Sequence, residues 1–214
     1  MGNIINLLYV DDKIDTLISR YLYDFRFEGV ELKFSDIKFQ NMKDYEELLE
    51  QKKVQMADII IIDSKLFEEV SASNKFTGEE FKMIYTTVYP YSKVIVLSQN
   101  DDLEKFGTIK KYSSSKKRSH MNKIWEDANE FYNGSLKEKL EECVIEILQK
   151  REILKRLKDN IENYEPSLIV SKINEMMEGT VTYKNLTDDK INDLIALVEK
   201  SIKPNIKGVD SDGI

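Results

Sequence analysis

Three carboxylates stand at the ends of two apolar runs in this chain, a placement that suits groups sharing one cation. Asn3–Val10 (Asn-Ile-Ile-Asn-Leu-Leu-Tyr-Val) runs directly into Asp11-Asp12, and Ala57–Ile62 runs into Asp63, followed by Ser64-Lys65. The four consecutive isoleucines of the second run are too few for an ordinary helix. They suit a strand buried on both faces, as in the middle of a parallel sheet. Asp63 then sits at the carboxyl end of a central strand, where open α/β sheets keep their sites. A turn or strand-end cap would account for one such aspartate alone. If the two strands are neighbours, however, Asp11, Asp12 and Asp63 meet at one edge, and three close carboxylates repel unless a cation lies among them. Mg²⁺, which prefers oxygen ligands and keeps several waters, is the simplest remedy. Two further ends point the same way: Ser98, after the apolar run from Lys93, and a lysine of the last strand, Lys110 or Lys111. An acid, a metal, a hydroxyl and an ammonium around one point make a phosphoryl-transfer site, in which a carboxylate attacks in line.

The elements that must position these groups alternate. Lys13–Phe25 carries apolar residues at helical spacing, Gly29 closes it, and Val30–Phe34 alternates as a strand does. Asn41–Met56 reads as a helix before the isoleucine strand, 67–77 as a loop, and Gly78–Tyr89 as a helix stopped by Pro90. Lys93–Ser98 is another buried strand, Thr108–Tyr112 a last, more polar one, and His120–Tyr132 a helix on which Trp125 anchors the packing. Alternating strands and helices give a doubly wound parallel sheet with right-handed crossovers.

Beyond Gly134 the pattern is helical only. Leu136, Leu140, Cys143, Ile147, Lys150, Leu154, Leu157 and Ile161 alternate steps of four and three, a heptad seam broken by Lys150. Val144, Leu148 and Ile153 widen that face, so packing within a bundle accounts for it equally well. Further helices are expected after Pro166 and over 191–202, with 204–214 a frayed tail. The expected division is therefore 1–133 for the α/β domain, 134–203 for a helical output or dimerisation region, and 204–214 for the tail.

Composition closes off several classes. One cysteine, Cys143, excludes an internal disulfide framework, and one histidine, His120, excludes a His-rich metal site. No apolar run approaches the ~20 residues that span a bilayer and no signal peptide opens the chain, so a cytoplasmic protein is expected. A net charge of −7 argues against general nucleic-acid affinity, and the basic group Lys110, Lys111, Lys116, Lys117 and Arg118 reads first as a solvated face.

Tyr-Val-Asp-Asp (9–12), Ile-Ile-Asp (61–63), Val-Ile-Val-Leu-Ser (94–98) and Ile-Lys-Lys-Tyr (109–112), in that order, resemble the receiver domain of two-component response regulators over roughly residues 3–132. Gly78-Glu79-Glu80-Phe81 followed by Val88-Tyr89-Pro90 is similar to that family's third helix. The resemblance implies a five-stranded flavodoxin-like sheet, with Asp63 the phosphoacceptor and Asp11 and Asp12 holding Mg²⁺. It also implies the Lys65 carbonyl as a third protein ligand, Ser98 bonded to a phosphoryl oxygen, and a lysine paired with another. Lys111 fits best, Lys116 being the alternative if Tyr112 is aligned with the family's switch aromatic; with Lys111 chosen, Thr108 takes that switch position. The implied phosphodonor is a histidine kinase or phosphotransfer protein, with output through the helical region and a possible homodimer through 135–161. Lys111 follows Ser98 by only 13 positions, so the helix between the last two strands is shortened or absent. Gln99, where the family prefers a small residue, stands to obstruct the phosphodonor. A degenerate receiver acting as a non-phosphorylated scaffold, and a Mg²⁺-dependent phosphohydrolase or nuclease on another parallel fold, are the competing readings.

Overall fold

The computed structural model describes residues 3–40, 42, 45–66, 77–99, 107–113 and 121–159. The expected loop 67–76, the stretch 100–106 where a shortened helix was expected, Lys116, His120 and everything from 160 onward lie outside the described residues.

The sheet is built from β1 (Asn3–Asp11), β2 (Val30–Lys38), β3 (Ile59–Asp63), β4 (Lys93–Ser98) and β5 (Ile109–Lys110). All four pairings are parallel and the order is β2-β1-β3-β4-β5. This is the doubly wound, flavodoxin-like order, in which the switch in winding direction opens a crevice beyond the tips of β1 and β3. The apolar runs form the three inner strands because both their faces are covered: Ile59, Ile60, Ile61 and Ile62 are wholly buried. Side-chain alternation sorts them into two cores. Ile5, Leu7, Tyr9, Ile59, Ile61, Ile95 and Leu97 face one side, and Leu8, Val10, Ile60, Ile62, Val94 and Val96 the other.

The helices are α1 (Thr16–Asp24), α2 (Tyr45–Leu49), α3 (Lys52–Gln55), α4 (Gly78–Val88), α5 (Met121–Tyr132) and α6 (Ser135–Asp159). Asp15 caps α1, accepting from the amides of Leu17 and Ile18. Thr77 caps α4 in a reciprocal capping box with Glu80. The single helix expected over 41–56 is two short pieces, because Gln51 turns extended between them while Leu48, Leu49 and Val54 all stay buried. Trp125 lies under the guanidinium of Arg20, 4.1 Å from the ring centre, and so ties α5 to α1.

Helix α6 adds to the core on one face of the sheet. Its seam residues Leu136, Leu140, Cys143 and Ile147, with Val144, are buried in the same core as β1, α1 and α5. Polar contacts fasten the helix across the amino ends of the strands. Arg151 donates to the Ile4 carbonyl and to Asp58 Oδ1, each at 2.6 Å, and Lys93 pairs with Glu146. Burial pushes the carboxyl of half-buried Asp58, just before β3, up from its ordinary value, and the Arg151 contact opposes that rise. Among the described residues no helix is long and apolar enough to cross a membrane.

Candidate functional site at the carboxyl edge of the sheet

β1 and β3 lie side by side, so their tips deliver the acids to one place. Asp11 and Asp63 continue the alternation of Tyr9 and Ile61 and project on the same side of the sheet. Between them lies the ammonium of Lys111, 2.7 Å from Asp11 Oδ2 and 3.1 Å from Asp63 Oδ1. Of Lys110 and Lys111, the former is exposed, whereas Lys111, one position on, is buried against the acids; Lys116 lies outside the described residues. The Lys65 amide donates to Asp63 Oδ2 at 2.9 Å, and the Lys13 amide to Asp11 Oδ1 at 2.9 Å. Asp12 stands close enough to Asp11 and Asp63 to feel both. An open cavity of about 600 Å³ is bounded by Asp11, Asp12, Asp63, Lys65, Ser98 and Lys111, with Gln99 also on its wall. Asp11, Asp12, Asp63, Lys65, Ser98 and Lys111 are therefore at one crevice.

Around the buried ammonium of Lys111 stand the three carboxylates of Asp11, Asp12 and Asp63, with Asp15, Lys13 and Lys65 also on the wall. Burial pushes the Asp63 carboxyl up; Lys111 draws it back, and Asp11 adds to the rise. Burial alone would lower Lys111, but Asp63 and then Asp11 outweigh it and hold the ammonium above the ordinary lysine range. Asp12 is pushed up to about 6 by burial first, then by the hydrogen bond and charge of Asp11, then by the charge of Asp63. An acid whose folded value is raised favours the folded state at low pH and loses that contribution as pH climbs from about 4 through about 6. Allowing for solvent screening at this partly exposed group, Asp12→Asn should raise stability at pH 7 in EDTA by about 1 kcal/mol. The gain should disappear near pH 4, which urea denaturation at the two pH values would measure.

Two supporting residues carry no signal as candidates in the sequence reading. Tyr9, fully buried, donates its hydroxyl to Asp11 Oδ2. Burial and then the Asp11 charge raise its pKa, so it stays a donor. Its spacing of two from Asp11, which on a strand means one shared face, was the available clue. Tyr132 of α5, also fully buried, accepts the Tyr112 amide at 3.0 Å directly after Lys111; only the tertiary fold reveals it.

A five-stranded parallel sheet in this order defines a doubly wound, flavodoxin-like domain, with acids beyond β1 and β3 and a buried lysine after β5 at its carboxyl edge. No family model and no curated protein matches the chain. Solved structures similar to it are response regulators. The response regulator domain of Thermotoga maritima CheB is 16% identical with a TM-score of 0.40, covering 66% of this chain and 97% of its own. A two-component transcriptional regulator, AraC, from Clostridium phytofermentans is 17% identical at 0.36, covering 69% and 98%. The RcsB response regulator of Salmonella typhimurium, described for its conformational dynamism in DNA interaction, is 16% identical at 0.38, covering 86% and 90%. Likenesses of this strength add no weight of their own; the order and direction of the strands carry the fold.

Proposed function

We propose that this chain is a phosphorylation-responsive signalling module whose phosphoacceptor is Asp63. The observation that carries the reading is the Lys111 ammonium held between Asp11 and Asp63 at the carboxyl edge of the sheet. In the transfer, an Asp63 oxygen forms a bond to phosphorus as the bond from phosphorus to the donor's leaving group breaks. Lys111 turns from the carboxylates to the transferred oxygens, and the Ser98 hydroxyl, in the same cavity, donates to another. Tyr9 remains on Asp11 as the ammonium shifts, so that buried acid is not left without a donor.

A divalent cation fits this donor set. The carboxylates of Asp11, Asp12 and Asp63 and the carbonyl of Lys65 are all hard oxygen donors, and they carry more negative charge than Lys111 offsets. Among the described residues no three acid, cysteine or histidine side chains form a ready-made metal cage. Mg²⁺ needs none, since it keeps several waters and takes one or two carboxylates. Bound there, it would neutralise charge on the phosphoryl oxygens.

A histidine kinase or phosphotransfer protein in the cytoplasm would supply the phosphoryl group, and the acyl phosphate would bias a two-state equilibrium read by another protein. The output surface would lie outside the buried seam of α6.

Incubation with Mg²⁺ and acetyl phosphate, or with Mg²⁺ and beryllofluoride, tests this. One phosphoryl group on the intact chain, absent in Asp63→Asn and in EDTA, is the expected result. No modification under any donor would leave a scaffold, and repeated turnover of a phosphoester would instead favour a hydrolase.

A further inference from the structure

Lys111 follows the shortest strand of the sheet. β5 has two residues and meets β4 only at Leu97–Ile109 and Ser98–Lys110. So short a ladder cannot by itself fix a long, rotamer-rich side chain at hydrogen-bonding distance from Asp63. Bonds outside the ladder supplement it. At Lys111 itself the amide donates to the Ser98 carbonyl at 2.6 Å, and just after it the Tyr112 amide is held by Tyr132. On the other side, the buried Thr108 hydroxyl donates to Glu79 Oε1 at 3.0 Å. The same carboxylate accepts from the buried Ser64 hydroxyl, 2.9 Å to Oε2 and 3.0 Å to Oε1.

Ser64 directly follows Asp63, so one carboxylate joins the end of the strand bearing Asp63 to the start of the strand leading to Lys111, bridging the end of β4. Helix capping does not explain it, because α4 is already capped by Thr77 and Glu80. We propose that Glu79 is a positioning residue, gripping β5 through Thr108 and thereby setting Lys111 against Asp63. The consequence for phosphoryl transfer rests on Asp63 being the acceptor, whereas the consequence for Lys111 does not.

Thr108→Val keeps the shape and removes the donor; Thr108→Ser keeps the donor. In Thr108→Val, hydrogen exchange at the Lys111 amide should speed up about tenfold relative to amides of β1, but by no more than about twofold in Thr108→Ser. Glu79→Gln should move the Lys111 amide in the same direction as valine. With acetyl phosphate the labelling rate constant at saturating Mg²⁺ should fall about tenfold in Thr108→Val, as expected for a misplaced reacting group. The Mg²⁺ concentration for half-maximal rate should stay within about twofold, because the acids that would bind it are untouched. The proposal is overturned if Thr108→Val leaves Lys111 exchange unchanged, or if Thr108→Ser is as impaired as valine. A wild-type chain that never labels would sink the acceptor reading of Asp63, and the exchange data would still decide the role of Glu79.

Discussion

Gly78→Ala should destabilise the protein by about 2–3 kcal/mol, even though alanine is the better helix former by up to about 1 kcal/mol. A methyl at this first position of α4 would stand 2.5 Å from the Asp63 carbonyl oxygen and 3.1 Å from both the Asp63 carbonyl carbon and Ser64 Cα. All three are backbone atoms of a strand end packed on both sides, so no flexible side chain can swing away. Relief requires moving α4 off β3. That would break the Gly78 amide bond to the Ser64 carbonyl, 3.0 Å long, a further loss of about 1 kcal/mol. Because the atoms displaced belong to Asp63, labelling by acetyl phosphate should slow as well. Gly29→Ala supplies the contrast: there the space is open and only a φ of 73° opposes a side chain, which costs about 1 kcal/mol. Urea denaturation of the pair reads the difference; equal losses would mean that close approach to β3 is not what position 78 requires.

Lys111→Met should lose about 3 kcal/mol at pH 7 in EDTA, because removing one partner of a buried ionic cluster strands the others. Asp11 is 2% exposed, and without the ammonium it would face Asp63 with only Tyr9 and the Lys13 amide to help. Loss of the cation removes what draws the Asp63 carboxyl back down, so the penalty should stand at pH 7 and ease as pH falls and that acid protonates. Added Mg²⁺ should recover more stability in the variant than in the wild type, since a ligand stabilises in proportion to its preference for the folded site. Urea midpoints at pH 5 and 7, with EDTA and with Mg²⁺, check both effects. A loss indifferent to pH and to Mg²⁺ would show that Lys111 contributes packing and not charge.

Much of this arrangement can be read in the chain because strands covered on both faces advertise themselves. β3 and β4 carry uninterrupted apolar runs and β1 is broken only at Asn6, and their terminal polar residues, Asp11, Asp63 and Ser98, mark the edge where the site lies. Less legible is whatever depends on a partner distant in sequence. Nothing local separates Lys110 from Lys111 until the alternation of β5 is anchored. Glu79 looks like any acidic residue in a first helical turn. The heptad spacing of α6 records an apolar seam without saying what fills it, and here the filler is the chain's own sheet. The break at Gln51 carries no glycine or proline to announce it.

The path of α6 has one more implication. Its contacts with Ile4, Asp58 and Lys93 moor it at the opposite pole from Asp63, about 17 Å away along β3 at the usual rise per residue. Arg151 and Glu146 therefore sit at the end of the sheet away from the site, so an effect of Asp63 on this part of α6 would have to travel lengthwise along the strands. A fragment cut after Gly134 would expose the apolar floor that Leu136, Leu140 and Ile147 cover.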